Sequence, residues 1–227
     1  MLSLKGTLLD VAIGIVRRSL DALMPDGGAF AVIEDPKALQ IAEVLCEHFD
    51  ANIRIKDVGA MRVALAGFDV AHFLGAGVPT STEFLTRFAT TIGAEIFVPR
   101  ELLRGDGKRL IALLAHEFEH VIQFKKDGFV MPWMYLNSTE ERAGYESNAY
   151  GAGEDVERAM GWPAPVRVED VAPSLVTSYH LQPEDVSLTT DMLRSHLASI
   201  DRGVHVSTAA PVVINTIKNF APEWLAR

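Results

Sequence analysis

Cysteine is nearly absent: Cys46 stands alone among 227 residues, which excludes an intramolecular disulfide and with it a disulfide-stapled or cysteine-rich zinc scaffold. Positive charge is also scarce. Lys and Arg total 21 against 30 Asp and Glu, a net charge of −9, so counterion release from a phosphate backbone has little to draw on and no nucleic-acid partner is expected. Long hydrophobic runs are missing as well. Between Leu8 and Leu23 the chain is apolar-rich, but Asp10, Arg17, Arg18 and Asp21 break it into stretches of at most about six residues, where a membrane span needs about twenty. Leu4, Leu8, Val11, Ile15, Leu20 and Leu23 suggest an amphipathic helix instead. A cytoplasmic protein is expected, because Arg17-Arg18 is not followed by the apolar run and cleavage site of an export signal.

What is present is a core-forming composition, 48% apolar, with no repeat, low-complexity tract or composition shift that marks a linker. A single domain over residues 1–227 is expected, of α+β class with helix dominating: residues 1–90 form an N-terminal helix and strand part, 91–161 the chemical core, and 162–227 a C-terminal helical part. Asp35-Pro36 reads as N-cap and first helical residue of a segment to about Phe49. Ala51 to Val58 alternates as a strand, with Arg54 and Lys56 on its polar face, and Met61 to Leu65 is a candidate to pair with it. Thr80 and Glu83 start a further helix, and Glu95 to Val98 forms a short strand stopped by Pro99. The strongest helix runs from an Asp106 cap to about Lys126, with Gly128 just beyond. A loop of about ten residues then leads to Ser138, which with Glu141 opens a second long helix to about Met160. Shorter helices are expected near Asp191 to Ile200 and Pro211 to Phe220.

The chemistry concentrates in the first long helix. From Leu110 to Phe124 the only polar residues are His116, Glu117, Glu119, His120 and Gln123. At about 100° per residue, His116, His120 and Gln123 share a narrow arc, so two imidazoles stand one turn apart on one face and can grip a single metal ion. Glu117 lies about 100° round the helix, placed to reach a water on that metal without being a ligand. The segment His116-Glu117-Phe118-Glu119-His120 is thus an H-E-x-x-H match mid-helix. With seven His and sixteen Glu in the chain it would arise by chance roughly once or twice in a hundred sequences.

A catalytic zinc takes three protein ligands, and no histidine follows His120 until His180, which argues against a closely spaced three-histidine site and leaves acidic residues as the plentiful candidates. Glu140, Glu141, Glu146, Glu154 and Glu157 all lie on the next helix. Glu146 is preferred, because Ala143, Ala149 and Gly153 at −3, +3 and +7 give its face the small residues that let a short carboxylate approach a neighbouring helix. Glu141 belongs to the cap, and Glu154 and Glu157 to an acidic run that reads as a solvated face.

These residues carry a resemblance. The His116–His120 motif, followed 26 residues later by Glu146 in Tyr145-Glu146-Ser147-Asn148-Ala149-Tyr150, resembles the gluzincin branch of zinc metallopeptidases, where a downstream helix supplies the third ligand, often in an E-x-x-A-D setting. Glu146 and Ala149 match, and Tyr150 stands where aspartate is frequent. Thr91 to Pro99 is similar to the edge strand that precedes the active-site helix in that branch. The resemblance covers roughly residues 91–161 and implies a zincin-like fold, a Zn²⁺ cofactor held by His116, His120 and Glu146, and a peptide or protein substrate lying antiparallel to the edge strand. It implies a zinc-activated water, Glu117 as general base and then proton donor to the leaving amine, with Tyr150, Tyr179, His180 and His205 as candidate oxyanion donors. The alternative is a non-catalytic, zinc-stabilised binding or assembly module. The apolar run Phe129 to Leu136 reads as core packing before it reads as a lid over the site, and Phe220 to Trp224 as a segment that docks onto the body.

Overall fold

Aspartates open two helices where their sequence context predicts. Asp35 accepts hydrogen bonds from the Lys37 and Ala38 amides at the start of α1 (Pro36–Phe49), and Asp106 accepts one from Arg109 at 3.0 Å. These are parts of a computed structural model that describes residues 29–56, 89–128, 130–162, 168, 171 and 185–226. The helices expected over residues 4–23 and from Thr80, and the strand at Met61 to Leu65, lie outside the described residues.

After α1, Asp50 turns the chain in the left-handed region (φ 44°) into β1 (Asn52–Ile55). Next come β2 (Thr90–Ile92) and β3 (Glu95–Val98), a hairpin closed by Gly93-Ala94 with Gly93 at φ 66°. A glycine at the first of two loop positions supplies the positive φ that a tight hairpin needs. The sheet order is β1-β3-β2, with β1 parallel and β2 antiparallel to β3. The segment Thr91 to Pro99 therefore belongs to two strands: among the described residues β2 is one of the two edges, while Glu95–Val98 is central. Lys56 departs from the expected polar strand face. It is buried just past β1, its side chain reaching over β3 so that Nζ donates to Thr90 Oγ1 at 2.8 Å.

A short turn of helix α2 (Arg100–Leu103) leads to α3 (Gly107–Asp127), ended at Gly128 with φ 57°. The expected loop after it contains a helix, α4 (Val130–Asn137), that no periodicity announced because its residues are apolar on nearly every side. Ser138 then caps α5 (Thr139–Ala159) by accepting from the Glu141 amide at 3.2 Å. The C-terminal helices α6 (Asp185–Asp201) and α7 (Ala209–Phe220) follow, α6 starting earlier than its sequence pattern suggests.

The main core joins α1, the inner face of the sheet, α3, α7 and the C-terminal half of α5 around Ile41, Leu45, Ile96, Leu110, Ile111, Leu114 and Phe118. A smaller cluster joins Ala143 of α5 to Leu193 of α6, Val168 and Val171. Trp224 is buried, with Lys108 Nζ donating to its carbonyl, and the Ala226 amide donates to Ala159 O at 2.8 Å, so the C-terminal segment docks onto α3 and α5. The described chain is an α+β structure in which helices dominate a small mixed sheet. No helix among the described residues is long and apolar enough to cross a membrane.

Candidate metal centre

Helices α3 and α5 pack closely because α5 offers little volume where they cross. A Cβ on Gly153 would stand 3.4 Å from the Ala112 carbonyl oxygen and 3.9 Å from His116 Cβ, so glycine lets the backbones approach beside the first histidine. Ala149 is fully buried, whereas Ala143 faces the smaller cluster against α6. The approach brings Glu146 to the two imidazoles. His116 Nε2 and His120 Nε2 are 3.2 Å apart, with Glu146 Oε2 at 3.7 Å from the first and Oε1 at 3.6 Å from the second.

One donor atom from each of His116, His120 and Glu146 lies within 4.8 Å of the others, so the group can hold a metal ion. In a tetrahedral site with bonds of about 2.0–2.2 Å, neighbouring donors stand about 3.3–3.6 Å apart. The 3.2 Å between the two Nε2 atoms and the 3.7 Å from His116 Nε2 to Glu146 Oε2 are close to that spacing, while His120 Nε2 lies nearest the other carboxylate oxygen, Oε1, at 3.6 Å. Glu146 is 1% exposed, and among the described residues its buried Oε2 has no hydrogen-bond partner. A buried carboxylate oxygen without a donor is costly, and a cation is the partner the surrounding nitrogens suit. Of the other acidic candidates, Glu140 and Glu141 are exposed, Glu154 faces Arg158, and Glu157 feels the charge of Arg109.

Charge is divided unequally among the ligands. Burial and the neighbouring charge of His120 push His116 down to about 3, against an opposing pull from Glu146. Burial acts the same way on His120, but the nearby carboxylate of Glu146 outweighs it and lifts His120 to about 9. Burial would raise Glu146, yet the two histidines and Tyr135 hold it below its ordinary value. Glu146 therefore stands as the one anionic donor beside two imidazoles, and ligation by His120 requires the loss of its Nε2 proton.

Their supports come from residues whose roles sequence spacing did not assign. Gln123 Nε2 donates to Tyr145 O at 3.0 Å, which turns its Oε1 toward His120 Nδ1 at 2.8 Å. His120 Nδ1 therefore carries the hydrogen and Nε2 is the atom presented to the site. Tyr135, on α4, donates from its hydroxyl to Glu146 Oε1 at 2.6 Å. Tyr150 packs its ring edge-on against His116, centroids 4.9 Å apart.

Glu117 is 4% exposed and turned toward the sheet. Thr91 lies opposite Ile96 in the hairpin, on the sheet face that α3 covers, and its hydroxyl donates to Glu117 Oε2 at 2.7 Å. Burial raises the Glu117 carboxyl, opposed by His120 and Thr91, while Lys56, itself lowered to about 8 by burial, adds a second nearby positive charge. Glu119 turns away to a structural task. Its Oε2 accepts from the Thr208 and Ala209 amides at 3.0 and 2.9 Å, capping α7 from another helix. Of the candidate oxyanion donors, His205 is bound to Asp155 at 2.7 Å, and Tyr179 and His180 lie outside the described residues.

No family model, curated protein or solved structure matches this chain.

Proposed function

We propose that the chain is a zinc-dependent metallopeptidase, or a closely related amide hydrolase, of gluzincin type with a zincin-like fold. The observation that carries this reading is the convergence of His116, His120 and Glu146 within 4.8 Å, with the Glu117 carboxylate one residue along the same helix. A zinc ion held by the three ligands supplies Lewis acidity, lowering the pKa of a water and drawing charge from a substrate carbonyl. Glu117 does the proton work. With Oε2 held by Thr91, its Oε1 is the oxygen that accepts a proton from the attacking water, and the same carboxyl passes that proton to the amine as the C–N bond breaks. Gln123 keeps His120 oriented.

Zinc analysis combined with hydrolysis of a peptide library tests the reading. Wild type should bind one zinc per chain and cleave in a chelator-sensitive way, Glu117→Gln should keep the metal and lose cleavage by several orders of magnitude, and Glu146→Ala should lose the metal. Cleavage that survives both chelation and Glu117→Gln would overturn it. A second reading, a non-catalytic module that keeps zinc as a folding element, is favoured by the deep burial of Glu117 and its tie to Thr91. Zinc binding without hydrolysis, and unfolding on chelation, would establish that alternative.

A further inference from the structure

Tyr135 was expected to be packing, or part of a lid, and the structure ties it to the third ligand instead. Its hydroxyl meets Glu146 Oε1 at 2.6 Å, while Oε2 of the same carboxylate is the buried oxygen with no hydrogen-bond partner among the described residues. The two oxygens are therefore unequal before any cation arrives: one has a donor and the other does not. Tyr135 is itself held in place. Arg142 Nε donates to the Tyr135 carbonyl at 2.7 Å, and its guanidinium lies 5.6 Å from the centre of the Tyr135 ring. Arg142 and Glu146 are one turn apart on α5, so the helix that supplies the ligand also anchors the residue that orients it.

A carboxylate with both oxygens available can chelate a cation through two bonds, the mode large oxygen-seeking cations such as Ca²⁺ use. A carboxylate with one oxygen committed to a strong donor offers the other alone, which suits a four-coordinate Zn²⁺ site with room for one further ligand. We propose that Tyr135 is a positioning residue that commits Glu146 to one-oxygen ligation through Oε2 and thereby sets both the affinity of the centre and its preference for Zn²⁺ or Co²⁺. This rests on the metal-centre reading above and adds to it a residue outside the ligand motif. The donor that selects the oxygen comes from α4, the helix that bridges the two ligand-bearing ones.

Tyr135→Phe removes the hydroxyl and keeps the ring. The readouts are Zn²⁺ affinity by chelator competition, the visible spectrum of the Co²⁺-loaded chain, and the melting temperature of the metal-free chain. Wild type should give the intense absorption of four-coordinate Co²⁺. Tyr135→Phe should bind Zn²⁺ about 10–100-fold more weakly and show the weaker bands of a higher coordination number, with metal-free melting little changed. Placing p-aminophenylalanine at 135 restores a donor at the same point and should restore both readouts. That variant alone decides the matter if the phenylalanine chain does not fold: recovery supports the proposal, and weak binding despite the donor overturns it. Equal affinity and spectra for wild type and Tyr135→Phe overturn the role of Tyr135 and leave the metal centre standing, whereas a wild type that takes up neither metal overturns both.

Discussion

The two ligand-bearing helices are equally long, 21 residues each, and hold their places by opposite means. Helix α3 is fixed by volume: Leu110, Ile111, Leu114 and Phe118 are all essentially inaccessible, so its histidines stand on a wall of large side chains. Helix α5 is fixed by the lack of volume, with Ala149, Ala152 and Gly153 along the surfaces it buries. Removing atoms should therefore damage the first helix, and adding atoms the second.

The largest effect is expected on the volume-filled side. Phe118 stacks on Phe49 of α1 with centroids 4.7 Å apart, and Phe118→Ala should destabilise the chain by about 3–5 kcal/mol in denaturant titrations. Next comes an addition on the close-packed side. Gly153→Val drives methyl groups at the Ala112 carbonyl and His116, and should lose about 1–3 kcal/mol of stability together with zinc affinity. If Gly153→Val binds zinc as wild type does, the close approach of the helices is not what seats Glu146. Glu119→Ala should remove the cap on α7 at a loss of about 1–2 kcal/mol, seen as a lower melting temperature, while zinc affinity stays within a few-fold. The smallest effect has the opposite sign. Among the described residues a Cβ on Gly144 meets only Met192 Cε at 3.8 Å, so Gly144→Ala on the same helix α5 should raise stability by about 0.5–1 kcal/mol through helix propensity. Together Gly144 and Gly153 distinguish a glycine required by contact from one that merely weakens its helix.

The legible parts of the site were those that repeat at helical spacing. His116 and His120 lie four residues apart, Asp35, Asp106 and Ser138 cap the helices they were expected to open, and Glu146 followed from small neighbours at −3, +3 and +7. Even there the reason was only partly right, since Ala143 serves α6 rather than the ligand contact. Partnerships between distant positions leave no such trace. Nothing local ties Glu119 to residues 208 and 209, Lys56 to Thr90, or Thr91 to Glu117, because each pair meets only when the sheet and helices assemble. Helix α4 was hidden for another reason: an almost uniformly apolar segment carries no alternation to read, and Tyr135 went with it. The hairpin at Gly93-Ala94 was overlooked because a two-residue turn inside β-branched residues looks like one continuous strand.

The contact between Glu119 and the start of α7 ties roughly the last tenth of the chain to the helix that carries the histidines. Were the segment from Thr208 onward lost, Glu119 would lose both of its amide donors on the helix that carries His120. A change at the start of α7 would then alter the surroundings of His120 from some ninety positions away without touching any residue of the motif.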